Sequence, residues 1–503
     1  MTSWYTDGVV ITDASRPDNM IKTGAYDTFS GPDGGFSGCW GVFPWLPSGL
    51  ILANDINTGL YVFNPTYQRG CYLEGNISSA QDGSLINDAI VEILTTTINT
   101  NSNANGDYKT GLAQAATYSV RFSHPEYEEL IVDNVILENG ELTILDVQLT
   151  RLERVIITGS VVDAVTGEGI PNSQVLFTTR TKEIFGVTDI NGNFIVDAFG
   201  ENYEVIVGAW SYLHLVQSNF NPVNEEAIFR LNFGYMDDFI FDLGWQVEST
   251  ASTGAWERGV PIGRGFGGQV TAIGQDIEGD IGTQAYVTGN SPNGGAGTDD
   301  IDDGETTLTS PPMFLDLLND AVIEFNAFFF NGGGQGEPQN DALTIELSDG
   351  LSTALLTEYR SDSTFSASTG NWTEVLRFNV GDTGLDISQP ITISYTAEDI
   401  DPGHLVEAAV DAFRVVEGGN VSTEELSDVD FIRIFPNPAD KIINISAQEV
   451  KVEKVQLYNS VGQLVLEKAY SPTINVSGLK SGTYMLVLDL ETGVSRSTRV
   501  VIK

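Results

Sequence analysis

This 503-residue chain is poorest in the side chains that run reactions and bind polyanions. It has three histidines, His124, His214 and His404, and two cysteines, Cys39 and Cys71. Two cysteines cannot build a disulfide framework and match no thiolate metal site; they form one bridge or stand as two free thiols. Basic residues are scarce, 24 Lys and Arg against 69 Asp and Glu, for a net charge of −45. That field repels nucleic acid and anionic lipid, so neither is expected as a partner. It suits an extracellular protein in salt, where repulsion is screened, or one that collects divalent cations. No run is long and apolar enough to span a membrane. The opening "MTSWYTDGVVITD" lacks the basic and apolar regions of a signal peptide and begins inside a strand pattern. The chain is therefore expected to be the C-terminal part of something longer.

Helical periodicity is missing too. Short alternating runs rich in Val, Ile, Thr and Tyr recur instead, punctuated by 53 glycines. Together with the length, this predicts an all-β, multidomain chain of sandwiches or barrels.

Residues 1–70 hold two strand-like runs, "DGVVITDA" and "GLILANDINTGLYVF", around "SGPDGGFSGCWGVFPWLPSG". The pattern "CWGVFPWLPSG…DINTGLYVF" resembles the end of the β-propellers in choice-of-anchor B (LVIVD-repeat) proteins. One blade cannot bury both faces alone, and Trp40, Phe43 and Trp45 are expected to pack between blades. An internal repeat follows. "GNISSAQDGSLINDAIVEILTT…NANGDYKTG" aligns with "GSVVDAVTGEGIPNSQVLFTT…DINGNFIVD", with hairpin glycines Gly106 and Gly192 86 residues apart. Both copies, 72–150 and 155–232, resemble carboxypeptidase regulatory-like domains, small prealbumin-like sandwiches without catalytic residues.

Residues 236–417 form the largest unit. "MDDFIFDLGWQVE", "GAWERGVP", "QAYVTGN", "FFFNGGGQG" and "LVEAAVDAFRVVE" succeed one another. Together they resemble jelly-roll (MAM-like or galactose-binding-like) modules of secreted Bacteroidetes proteins. The phenylalanines between Phe325 and Phe330 are expected in its core. After a linker, 418–430, the charge reverses: residues 431–503 carry 9 basic and 6 acidic residues, a net of +3 against −48 for the remainder. A sign change that abrupt marks a separate module. Its landmarks "IFPNPAD", "VEKVQLYNSVGQLV", "INVSGLKSGTYMLVL" and "RVVIK" resemble the type A sorting domain of the type IX secretion system, an Ig-like sandwich. Pro436 and Pro438 are expected to fix an extended entry into its strand "IINISA". The resemblance implies the type IX translocon and a sortase-like machinery as partners, and an extracellular or outer-membrane surface location.

Four places could carry chemistry. His404 and Glu407 form the H-x-x-E of a zinc carboxypeptidase. In a strand, residues three apart point to opposite faces, and both other histidines lie upstream in a different domain, so no zinc site is expected. The alternation instead puts Glu407, Ala409, Asp411, Phe413 and Val415 on one face. His124 and His214 read as structural. Gly263, Gly265 and Gly268 satisfy G-x-G-x-x-G, but no helix pattern follows, so the motif reads as a loop. The fourth place is "GTDDIDDGE", which packs Asp299, Asp300, Asp302 and Asp303 into five residues. Hard oxygen ligands in a Gly-flanked loop suit Ca²⁺; the other reading is a solvated acidic loop. It is no EF-hand, because Ile301 and Ser310 occupy ligand positions. The jelly-roll resemblance implies a structural calcium that Glu407, with Asp411, would complete.

The reading that follows is a secreted, non-enzymatic binding or adhesion protein with an extracellular ligand, a glycan or a protein. The alternatives are a carbohydrate-binding accessory module, with Trp245, Trp256 or Trp372 stacking on a sugar, and the non-catalytic end of a larger secreted enzyme.

Overall fold

The computed structural model describes residues 1–30, 36–266, 269–292, 294–318, 320–332, 340–360, 371–401 and 403–418. It also describes 424–425, 432–435, 439, 441–447, 451–459, 464–480, 482–490 and 495–502. Pro436, Pro438, Gly268 and most of the 418–430 linker lie outside these. The fold is all-β. Among the described residues the only helical turns are two short 3₁₀ segments, Leu315–Leu317 and Val380–Thr383. The chain divides into two compact units, Met1–Gly418 and Gly419–Lys503.

Residues 1–70 form two three-stranded sheets, Thr2–Ser3, Val9–Asp13 and Ile21–Tyr26, then Cys39–Phe43, Ile51–Asp55 and Gly59–Phe63. Their shared core is small: Val9, Cys39 and Ala53. Trp40 and Trp45, expected between blades, are 62% and 79% exposed. Both cysteines are buried and unbridged. Polar bonds tie the segment to the next module. The Asp13 carboxylate accepts from the Gly70 amide at 2.9 Å and the Tyr72 hydroxyl at 2.7 Å, and Arg16 pairs with Glu74 at 2.9 Å.

The two repeat copies share one strand pairing. In the first, Cys71–Ser79 pairs antiparallel with Asp107–Leu112 and parallel with Leu142–Ile144 and Val147–Leu149. In the second, Arg154–Asp163 pairs antiparallel with Asn193–Phe199 and parallel with Ala227–Leu231. The opposing sheets correspond likewise: Ile90–Ile93 lies between Asn99–Asn101 and Ala116–His124, and Gln174–Thr178 between Glu183–Val187 and Tyr203–Gly208. The Asn-Gly turns require left-handed backbone, φ +71° at Gly106 and +77° at Gly192. A Cβ on Gly192 would stand 2.6 Å from Gly169 Cα and from the Val161 carbonyl oxygen. Gly192→Ala is therefore expected to cost about 2 kcal/mol. Calorimetry would show this as a melting transition lowered by roughly 10 °C for a module of this size.

Beyond the repeats, two antiparallel sheets face each other. One runs Glu257–Gly259, Ala285–Val287, Leu405–Glu417, Ala321–Gly332, Leu376–Asn379, with Tyr235–Asp237 also on Leu405–Glu417. The other runs Gln246–Ser249, Gly304–Thr309, Thr392–Asp399, Ala342–Ser348, Thr353–Arg360. Between them lie Trp245, Trp256, Phe325, Phe329, Tyr395 and Phe413. The phenylalanine run is buried throughout but on both faces of its strand, for Phe328 and Phe330 join a second cluster with Ile273, Val287, Leu405 and Ala409.

The strand Leu405–Glu417 departs from simple alternation. Its pairing steps from Glu324↔Arg414 to Asn326↔Asp411, leaving one extra residue, and Ala412 has φ +52°. A β-bulge of this kind reverses facing. Val406, Ala408 and Val410 face the core before it, Phe413 and Val415 after it. The expected single face is thus split: Glu407, Ala409 and Asp411 share the outer face, whereas Phe413 and Val415 point inward.

The C-terminal unit is a sandwich of a five-stranded and a three-stranded sheet. Its own core includes Ile443, Val455, Leu457, Leu486, Leu488 and Ile502.

Candidate cation sites in the largest domain

The outer face of Leu405–Glu417 carries two buried acids, Glu407 and Asp411. Four residues apart in a strand, they are separated by about 13 Å and cannot hold the same ion. Each belongs to a different set of neighbours.

Glu407 accepts from the Thr288 hydroxyl at 2.6 Å. Gly289 permits the approach, because a Cβ there would lie 2.7 Å from both Glu407 Oε1 and the Asp299 carbonyl oxygen. Burial first, then Asp300 and Asp299, pushes the Glu407 carboxyl up to about 9. Burial and then Asp302 raise buried Asp300 to about 7. Asp299 accepts from the Ser291 amide at 2.7 Å through one oxygen, while its other oxygen has no partner. Of the acidic loop, Asp299 and Asp300 are therefore the members whose charge bears on Glu407. Asp302 instead accepts from the Thr253 hydroxyl at 3.1 Å, and Asp303 is exposed. Among the described residues, no three of Asp299, Asp300, Asp302, Asp303 and Glu407 bring ligand atoms within 4.8 Å of one another.

Two other sets do. His404, Asp341 and Asp399 form the first. His404 Nδ1 lies 2.8 Å from Asp341 Oδ2, the Asp341 Oδ1 atom accepts from the Ile400 amide, and Asp399 accepts from the His404 amide. Its carboxylates are already hydrogen-bonded, as in a pin holding the loop before Leu405–Glu417 in place. Glu407 bonds to Thr288, and among the described residues the H-x-x-E pair shares no hydrogen-bond partner.

Asp276, Asp280 and Asp411 form the second set. Asp411 is fully buried, and among the described residues no donor reaches its Oδ2, either Asp276 oxygen or Asp280 Oδ2. Burial, then a proton shared with the Asp276 carboxyl and the charge of Asp280, pushes Asp411 well above the usual carboxylate range; burial, then Asp238 and Asp276, raises Asp280 to about 7. Among the described residues the neighbouring cation, Arg414, pairs with Asp238, at 3.5 Å. Partnerless buried carboxylates are costly unless a cation joins them. The two sets thus differ: in the first the carboxylates accept from backbone amides and His404, whereas the second has oxygens to offer. Asp276 and Asp280 carried no signal in the sequence, since in a chain of net charge −45 an Asp-x-x-x-Asp loop is unremarked background.

The tryptophans divide similarly. Trp245 and Trp256 are buried and donate to Asp237 Oδ2 at 2.9 Å and the Thr306 carbonyl at 3.1 Å, so neither can stack on a ligand. Trp372 is half-buried and donates to the Gln275 carbonyl at 2.8 Å. His124 accepts from the Glu126 amide through Nδ1 at 3.1 Å.

Residues 433–503 match the model of the secretion system C-terminal sorting domain, and residues 73–150 that of the carboxypeptidase regulatory-like domain. No curated protein matches the chain. Solved structures to which the chain is similar include a streptococcal ancillary pilin (11% identity, 37% of this chain and 76% of that one, TM-score 0.22). Another is a family 11 carbohydrate-binding module from Clostridium thermocellum (11%, 36% and 94%, 0.21). A third is a carbohydrate-binding module of the β-sandwich superfamily (9%, 71% and 100%, 0.23). The type IX sorting domain at the C-terminal end makes this chain an extracellular or cell-surface protein that engages the secretion machinery.

Proposed function

We propose that the protein is a non-catalytic surface adhesin or binding protein. In this reading its sandwiches space a binding domain from the cell, and a calcium ion at Asp276, Asp280 and Asp411 braces that domain. The observation that carries the binding role is the sorting domain at the end of a series of β-sandwiches; the partnerless oxygens around Asp411 support the ion. Hard carboxylate ligands on a Gly-flanked loop suit Ca²⁺ over softer metals. The first segment fits the closing part of an LVIVD-type propeller, and the exposed Trp40 and Trp45 are the surfaces further blades would cover. The largest domain fits a MAM-like or galactose-binding-like jelly roll.

The second reading, a carbohydrate-binding accessory module, rests on Trp372, the one of the three candidate tryptophans that keeps an exposed portion. The purified chain, incubated with glycan arrays and peptide libraries, is expected to retain a ligand without cleaving anything. Trp372→Ala is expected to weaken glycan retention at least tenfold if the ligand is a sugar, and to leave protein binding unchanged. Turnover of a peptide or glycan that His404→Ala abolishes would overturn the proposal.

A further inference from the structure

The acidic cluster around Asp411 sits at the junction of two domains. In the second sandwich, Gln174–Thr178 and Tyr203–Gly208 turn Val175, Phe177, Val205 and Val207 into their own core. The alternate residues Leu176 and Ile206 point the other way. They pack against Ile240, Phe241, Leu243 and Ile281 of the largest domain. This explains why both strands read as nearly unbroken hydrophobic runs: each face is buried. Trp210 adds a second contact, donating to the Pro312 carbonyl at 2.8 Å and stacking on Phe413. His214 places its ring edge-on to Phe241 at 5.8 Å.

Ile281 belongs to both neighbourhoods. It follows Asp280 directly, its amide donates to Asp238 Oδ2 at 3.1 Å, and its side chain lies in the junction cluster. Asp238 is itself flanked by Ile240 and Phe241 two and three residues on. The segment that offers carboxylates to an ion is thus continuous with the segment that grips the second sandwich. Asp411, wholly buried, with one oxygen that no donor among the described residues reaches and a carboxylate oxygen within 4.8 Å of those of Asp276 and Asp280, is the fixed member on the sheet.

We infer that a divalent cation at Asp276, Asp280 and Asp411, the reading proposed above, locks the second sandwich onto the largest domain. A ligand shifts an equilibrium only by its preference for one state. An ion needing all three carboxylates together favours the arrangement that holds Ile281 in the junction. Without it, mutual repulsion of Asp238, Asp276 and Asp280 opposes that arrangement, and the junction loosens.

Hydrogen exchange on the full chain in Ca²⁺ and in EDTA tests this, alongside calorimetric titration of Ca²⁺. Ca²⁺ is expected to slow exchange about tenfold at 239–243 and also at 209–216, which contributes no ligand, while 116–124 in the first sandwich stays unchanged. Leu176→Ala, which leaves every carboxylate in place, is expected to keep Ca²⁺ binding and lose the protection at 209–216. Asp280→Asn is expected to lose both. If Ca²⁺ binds and protects only 275–281 and 405–412, the coupling is wrong and the ion site stands. If calorimetry detects no binding, the ion site itself is wrong and the coupling falls with it.

Discussion

Removing residues 419–503 from the gene as the cell expresses it is expected to abolish surface display and release, with at least a tenfold loss from the extracellular fraction and accumulation in the periplasm. The structural basis is that this unit is self-contained. Its core, with Ile443, Val455, Leu486 and Ile502, is assembled from its own two sheets. The cores of Met1–Gly418 use only residues of that unit. Deletion therefore leaves the rest able to fold, and a loss of export reports on recognition by the secretion machinery. The charge contrast points the same way, since residues 431–503 within this unit net +3 against −48 for the rest of the chain. Fractionation with immunodetection is the measurement, and a reporter fused ahead of 419–503 is expected to gain surface exposure. Unchanged export of the truncated protein would remove the sorting assignment for this chain.

Glu407→Gln is expected to stabilise the largest domain at high pH and to do little at low pH. Burial, with Asp300 and Asp299 nearby, raises the folded carboxyl to about 9, against about 4.3 in an unfolded chain. Between those values the folded state holds the extra proton, so stability falls as pH rises through the window. Asp237 and Asp300, raised by burial to about 8 and about 7, add to the same slope. Glutamine stays neutral and can still accept from Thr288. Melting in EDTA should show no difference at pH 5 and a gain of roughly 5 to 10 °C by pH 9, on the order of 2 kcal/mol or more. A substitution that instead lowers the melting temperature in Ca²⁺, with no gain in EDTA, would make Glu407 an ion ligand, as the acidic loop 299–303 suggests from sequence. The two outcomes have opposite signs.

Local chemistry made much of this protein legible before any coordinates. Alternating strands and abundant glycine gave the all-β class, because pleated strands expose one face at a time and need tight turns. The two Asn-Gly turns marked Gly106 and Gly192, since only a residue tolerant of positive φ closes turns so tight; the strands each turn joins, expected to pair as a hairpin, instead lie in the two opposing sheets of the sandwich. The charge reversal at residue 431 and four ordered landmarks picked out the sorting domain.

What the sequence by itself determined, then, is a string of β modules with a secretion tail; what the tertiary structure decided is which acids meet. Asp276 and Asp280 reach Asp411 from a loop more than 130 positions away along the chain, and no local pattern encodes that approach. One extra residue at Ala412 turns Phe413 and Val415 inward after Asp411 has faced out. The buried faces of Leu176 and Ile206 likewise acquire meaning only when a second domain covers them. Strand alternation is a rule about neighbours in sequence, whereas ion sites and domain junctions depend on distances between residues far apart in it.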